Sequence, residues 1–198
     1  MNYLAHAYLS FNHPEVLVGN MISDHVKGRA QYDYPPGILA GIKLHRAIDE
    51  FTDQHEVSKA MMQIFRPHYR LYAGAFVDIV YDYYLANDRK EFENPQQLFQ
   101  FSQETYATLQ PQLEMFPAKF KGMFPYMASQ NWLYYYHTEE GIQKSFNGLA
   151  HRATYLGESQ VAFDLFLQHK SFLQEQYNLF FHSVKTFAAH TMQQLLKM

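Results

Sequence analysis

Two acidic residues one helical turn apart lie in the most apolar segment of the chain. Asp78 and Asp82 fall within the run Ala75–Leu85, where almost every other residue is apolar or aromatic. Residues four apart share one face of a helix, so the two carboxylates repel each other. Burial makes this repulsion costlier unless a proton, an arginine or a metal cation compensates it. The pair therefore predicts either a metal site or carboxylates that cap or bridge neighbouring helices.

A second group with metal-binding chemistry occupies the segment Lys43–Asp53. His45 and Asp49 are four residues apart, as are Asp49 and Asp53, so a helix would place them on one face. An imidazole and a carboxylate one turn apart can bind a divalent ion through nitrogen and oxygen. The carboxylate could equally orient the imidazole, or the segment could be a solvated face of ion pairs.

Two isolated residues add to these groups. His6 lies among apolar residues of the first predicted helix, where it is either a packed core histidine or a site residue. Asp24 falls late in the second predicted helix, where the helix dipole disfavours a carboxylate. A metal or a protonated histidine would compensate that charge, which makes Asp24 a candidate ligand.

Helices must position these residues, because helical periodicity is common along the chain and strand patterns are rare. Prolines and glycines mark the predicted ends. The predicted helices span 2–11, 14–28, 36–51, 56 onwards with an interruption at Pro67, 69–87, 95–109, 117–127, 131–137, 139–152, and 158–196 as one helix or two. No repeat or linker divides the sequence. We therefore predict an all-α fold in which residues 1–198 form a single compact helical bundle.

Composition and charge exclude several classes of protein. Of the 198 residues, 47% are hydrophobic and 17% aromatic, which is enough for one compact core. A net charge of −3 argues against a general nucleic-acid binder. The chain has no cysteine, so disulfides and thiolate metal sites are excluded. A basic leader and an apolar run of membrane-spanning length are both missing, so we expect a cytoplasmic protein without a membrane partner.

Short motifs spread over most of the chain resemble the acyl carrier protein phosphodiesterase family. At the N-terminus they are Asn2–His6 and Gly19–Gly28. They continue with Tyr34–Pro36, Ala40–Ile42, Leu44–Asp49, Phe51–Asp53, Arg70, the helix of Asp78 and Asp82, Gln130–Leu133 and Asn147–Arg152. Each motif is short, but together and in this order they are specific.

The resemblance implies an enzyme that hydrolyses holo-acyl carrier protein to 4′-phosphopantetheine and the apo carrier. It also implies Mn²⁺ (or Mg²⁺) as cofactor and an architecture like that of the HD-type metal phosphohydrolases. The chain departs from the HD signature, because its only such dipeptide is the reversed Asp24-His25.

The resemblance and the residue patterns together give a hypothesis for the site. Predicted metal ligands are Asp24, His45, Asp78 and Asp82, the last in the first or second coordination shell. Predicted catalytic residues are His6, Arg46, Asp49 and Arg152. Among these, Asp49 is also a possible ligand, His6 a ligand or a general acid, and the arginines would steady the phosphate.

The substrate side of the resemblance gives a further expectation. Acyl carrier proteins are acidic, so the docking surface should be positive although the chain is net acidic. We expect it to involve Lys27, Arg29, Lys119 and Lys121, which are otherwise ordinary solvated charges. Two alternatives stay open: a nucleotide or cyclic-dinucleotide phosphohydrolase with the same cluster, and a helical interaction module without enzymatic activity.

Overall fold

A computed structural model of the protein describes residues 1–152 and 158–197. These residues form helices and no strand, which confirms the predicted all-α fold and compact bundle. The helices are α1 (Tyr3–Tyr8), α2 (Pro14–Ile22), α3 (Pro36–Gln54), α4 (Glu56–Tyr69), α5 (Ala73–Asn87), α6 (Pro95–Leu109), α7 (Ala118–Ser129), α8 (Trp132–Tyr135), α9 (Glu139–Arg152), α10 (Ser159–Gln168) and α11 (Lys170–Leu195). Of the described helices, none is long and apolar enough to cross a membrane.

Several predicted helix ends differ from the observed ones. The second helix ends at Ile22 instead of Gly28, and Asp24 lies in the 3-10 turn Ser23–His25 that follows. Gly28 has φ at +57°, but it is the first residue of a 3-10 helix, Gly28–Asp33, so the prediction that it stops the second helix is wrong. Contrary to the prediction, Pro67 does not interrupt the fourth helix, since it lies within α4, which continues to Tyr69.

Helices α2 and α3 cross in backbone contact because each carries a glycine at the crossing. A Cβ on Gly19 would lie 2.0 Å from a carbonyl oxygen of α3, and a Cβ on Gly41 would lie 2.2 Å from a carbonyl oxygen of α2. Only glycine fits at either position. Since Asn20 follows the first glycine and His45 lies one turn after the second, this crossing brings the two polar residues together.

Helix α5 passes through the centre of the bundle. Phe76, Val77, Val80 and Leu85 are completely buried along it. Phe76 packs against aromatic rings of α4 and α9, with centroids 5.1 Å apart in the pair formed with Phe146. This packing fixes the helix that carries Asp78 and Asp82.

Candidate metal centre

Two buried histidines from different helices stack face to face. His6 of α1 and His45 of α3 have ring centroids 3.8 Å apart and an interplanar angle of 14°. The two side chains are almost entirely excluded from solvent. Because the rings are nearly parallel and in contact, their ring nitrogens lie close enough to act on a common ligand.

Asn20 of α2 fixes the orientation of both rings. Its backbone carbonyl oxygen lies 2.8 Å from Nδ1 of His45, and its Oδ1 lies 2.9 Å from Nδ1 of His6. Its Nδ2 donates to the carbonyl oxygen of His6 and to Oγ of Ser10, so Oδ1 is the acceptor. Both Nδ1 atoms must then donate, which leaves the Nε2 lone pairs for a proton or a metal.

The sequence reasoning did not single out Asn20 as a site residue. A signal was present, because Asn20 is the only polar side chain after Glu15 within α2 and is completely buried. A buried amide in an apolar helix needs several hydrogen-bond partners. That requirement points to a polar site next to the helix.

Asp49 completes the centre from α3. Its Oδ1 lies 3.1 Å from Nε2 of His6 and its Oδ2 lies 3.1 Å from Nε2 of His45. One ligand atom from each of the three residues lies within 4.8 Å of the others. Two imidazole nitrogens and a carboxylate form a donor set that could hold a divalent metal ion. A metal site is therefore possible at this position, and the identity of the metal stays a prediction.

Asp24 and Asp78 lie beside this group of three on its solvent side, Asp24 through His45 and Asp78 through the ammonium of Met1. Oδ1 of Asp24 lies 3.1 Å from Nε2 of His45. Oδ1 of Asp78 lies 2.9 Å from the α-ammonium nitrogen of Met1, which also lies 3.1 Å from Oδ1 of Asp49. The Asp24 side chain is 65% exposed and the Asp78 side chain 29%. The carboxylates thus form the accessible side of the centre, and the histidines form its buried side.

The two imidazoles differ in charge. Burial alone would lower the pKa of His45, but Asp24 and Asp49 outweigh it and raise the pKa to about 9. Burial and the neighbouring His45 lower the pKa of His6 to about 4. At neutral pH His45 is protonated and His6 is neutral. The Nε2 lone pair of His6 then faces two acceptor oxygens, from Met1 and Asp49, and a cation would resolve this contact.

The carboxylates respond to the same positive groups. Burial disfavours a charged Asp49, yet the Met1 ammonium and the histidines hold its pKa well below the usual range. A hydrogen bond from His45 lowers the pKa of Asp24. Burial raises the pKa of Asp78 to about 6 in spite of the ammonium group beside it. At neutral pH the centre therefore presents ionised carboxylates, which are the form that binds a metal.

Asp82 lies one turn beyond Asp78 but faces a different partner. Its two oxygens accept hydrogen bonds from the backbone N–H groups of Leu4 and Ala5, at 2.7 and 3.1 Å. It is completely buried, and burial raises its pKa to about 7. In this structure Asp82 caps the start of α1, the second of the two roles that the sequence left open. It supports the helix that carries His6.

Of the two predicted arginines, only Arg46 has a described side chain, and its hydrogen bonds go to residues outside the cluster. Arg46 donates from Nη1 to Gln31 and from Nη2 to the carbonyl oxygen of Val26, so it holds the segment after Asp24 against α3. The side chain of Arg152 lies outside the part of the chain that the structure describes. Their predicted contacts with phosphate stay predictions.

The four predicted docking residues are exposed, and one ring contact links the segments that carry them. His25 packs against Phe120 with centroids 5.7 Å apart. Lys27 and Arg29 follow His25 in the sequence, and Phe120 lies between Lys119 and Lys121. Lys121 pairs with Glu114 at 2.8 Å, which reduces the positive charge on that side.

The fold and the cluster define an all-helical protein with a His–His–Asp centre that could hold a divalent metal. Comparison with known protein families agrees with this description. Residues 1–184 of the chain match the family described as acyl carrier protein phosphodiesterase. The chain belongs to this family, which confirms the resemblance and the predicted enzyme class.

Individual relatives match along most of their length. An acyl carrier protein phosphodiesterase of Yersinia pestis is 30% identical over 190 residues, which cover 96% of this chain and 98% of the relative. One of Klebsiella pneumoniae is 34% identical over 152 residues, which cover 77% of this chain and 79% of the relative. One of Photorhabdus laumondii is 30% identical over 169 residues, which cover 85% of each chain. No solved structure gives a significant match.

Proposed function

We propose that this protein hydrolyses the phosphodiester of holo-acyl carrier protein, releasing 4′-phosphopantetheine and leaving the apo carrier. The family supplies the substrate class. The observation that carries the proposal is the convergence of His6, His45 and Asp49 at distances of 3.1 Å. A phosphodiester is anionic and its alkoxide is a poor leaving group, so hydrolysis requires positive charge at this position.

The ligand set we propose is His6, His45 and Asp49, extended by Asp24 and Asp78. A divalent cation held there supplies Lewis acidity to the phosphate oxygens and to the attacking water. Asn20 supports this role of the histidines, because its two oxygens accept hydrogen bonds from both Nδ1–H groups. Both Nε2 atoms are then left to bind the metal. The same contacts favour His6 as a ligand over His6 as the general acid. Asp82 is assigned a supporting role through α1.

The exposed side of the centre is where the substrate must arrive. Asp24 and Asp78 border it, and the segment of Lys27 and Arg29 follows directly after Asp24. We propose that these two cations attract the acidic carrier and that Lys119 and Lys121 extend the same docking surface. Arg46 would contribute indirectly, because it holds this segment against α3.

Mass spectrometry of holo-carrier incubated with the protein and Mn²⁺ tests the reaction. We expect the carrier to lose the mass of phosphopantetheine, and Asp78→Ala to abolish that loss while the helical circular dichroism spectrum is retained. Asp164→Ala, an exposed aspartate of α10, is the matched control and should keep full activity. Unchanged carrier mass, with cleavage of nucleotides or cyclic dinucleotides instead, would refute the proposed substrate. Full activity of Asp78→Ala would refute the proposed site.

Charge reversal tests the docking surface. Replacing Lys27 and Arg29 with glutamate should lower kcat/KM for the carrier about tenfold and flatten its dependence on salt, because steering acts on the association rate. The double reversal of the exposed Arg89 and Lys90 is the matched control and should change neither quantity. If both double variants behave alike, Lys27 and Arg29 are not part of the docking surface.

A further inference from the structure

A large cavity lies between α8, α9 and the start of the chain. Its volume is about 760 Å³, within the range of small-molecule binding sites. Aromatic side chains form much of its wall, among them Phe99, Trp132, Tyr134 and Tyr135. None of these belongs to the metal centre, so the cavity is a separate feature of the molecule.

The cavity and the metal centre share the N-terminal segment as a common wall. Residue Met1 contacts the centre through both its ammonium nitrogen and its carbonyl oxygen. The next two residues, Asn2 and Tyr3, line the cavity. Asn2 donates from Nδ2 to the hydroxyl of Tyr136, a second lining residue, at 2.8 Å. The cavity and the centre are therefore lined by consecutive residues of the N-terminal segment, within a few ångströms along the chain.

The wall combines apolar rings with groups that recognise amides. Side-chain amides and hydroxyls of Asn2, Gln130, Asn131 and Ser145 line it beside the rings. The Oδ1 atom of Asn131 is buried and accepts no hydrogen bond from the described residues. An unpaired buried acceptor is unfavourable, so this oxygen would gain from an N–H donor supplied by a ligand.

We propose that this cavity binds the pantetheine arm of the substrate while the phosphodiester lies at the metal centre. This inference rests on the proposed function, because that reaction places a phosphate at the centre. The arm extends from the phosphate as a flexible chain with a dimethyl-substituted carbon, a hydroxyl, two amides and a thiol. Its apolar and amide groups are chemically complementary to the aromatic rings and side-chain amides that line the wall.

The chain offers a substitution that fills the cavity without disturbing the fold. Gly148 of α9 lines the cavity, and a Cβ built on it meets nothing within 4 Å. Gly122 of α7 is equally open but does not line the cavity. Both are helical glycines, so a larger side chain should improve helix propensity at each position. Gly148→Phe and Gly122→Phe therefore form a matched pair.

The only tryptophan of the chain, Trp132, lines the cavity and reports on its occupancy. Titrating metal-free protein with 4′-phosphopantetheine should give a saturable change in tryptophan fluorescence. We expect Gly148→Phe to weaken this binding at least tenfold and Gly122→Phe to leave it within twofold of the unmodified protein. The same variants are then assayed with holo-carrier, where Gly148→Phe should raise KM by a similar factor.

The outcomes separate this inference from the proposed function. If holo-carrier is hydrolysed but 4′-phosphopantetheine does not change the signal of Trp132, the cavity is not the arm site and the inference is wrong. Equal binding by Gly148→Phe and Gly122→Phe would overturn it as well. If the ligand saturates the signal but no holo-carrier is hydrolysed, the proposed reaction fails and the assignment of the cavity to pantetheine stands.

Discussion

Replacing Asn20 with alanine tests whether its buried side-chain amide prepares His6 for a metal. The side chain makes three buried hydrogen bonds: Nδ2 donates to the carbonyl oxygen of His6 at 2.8 Å and to Oγ of Ser10 at 3.0 Å, and Oδ1 accepts from His6 at 2.9 Å. Its backbone contact with His45 is unaffected by the substitution. The change therefore acts on His6 and leaves the tautomer of His45 fixed.

The expected effects follow from these contacts. Three buried hydrogen bonds at about 1 kcal/mol each make the free energy of unfolding of Asn20→Ala smaller by about 3 kcal/mol. The ring of His6 also loses the acceptor that fixes its tautomer. Losing such a partner of a metal ligand weakens metal binding roughly 10- to 100-fold. Urea unfolding of the metal-free protein measures the first effect, and calorimetric titration with Mn²⁺ measures the second.

Ser10→Ala is the control that separates stability from metal affinity. Ser10 accepts from Asn20 and donates to the carbonyl oxygen of His6 at 2.8 Å, but it does not touch either imidazole ring. We expect it to cost about 1–2 kcal/mol of unfolding free energy and to leave the affinity for Mn²⁺ unchanged. If Asn20→Ala binds Mn²⁺ as tightly as Ser10→Ala, the orienting role of Asn20 is refuted.

Three further predictions follow from the charge and the packing of the site. Since His45 has a pKa of about 9, Mn²⁺ binding at pH 7 should displace its proton and release about one proton per site. Calorimetry in buffers of different ionisation enthalpy measures this number, and release of no proton would contradict the charge assigned to His45. In the metal-free protein, the stability that His45 contributes should be present below pH 6.5 and be lost as the pH rises through about 9, and His45→Asn should remove this dependence. Gly41→Ala should cost at least about 3 kcal/mol of unfolding free energy, because its Cβ would meet the backbone of α2. Gly122→Ala is the control and should be neutral or stabilising. Equal stability of the two variants would disprove the close crossing of α2 and α3.

The sequence predicts the parts of the centre that depend on local spacing. His45 and Asp49 are four residues apart, so the helix places both side chains on one face and in contact with each other. The pairing of Asp24 with His45 was expected only from the need to compensate a charge. The predicted position of Asp24 inside the second helix is wrong, since Asp24 lies in a 3-10 turn after α2.

Features that depend on distant packing could not be predicted. The cap that Asp82 forms needs N–H groups 78 residues earlier in the chain, and nothing in its own segment indicates them. Asn20 gains its role only because a glycine crossing brings α2 against α3. The cavity beside Trp132 is likewise a space left between helices, and helix periodicity carries no information about such spaces.

The length of α1 has a consequence for how the protein is made. A helix of six residues is too short to persist in isolation, so its order depends on the cap provided by Asp82. During synthesis His6 leaves the ribosome long before α5 does, and the nascent chain cannot hold it in place. His6 is therefore fixed in place only after α5 has been synthesised and its Asp82 can accept from the N–H groups of α1.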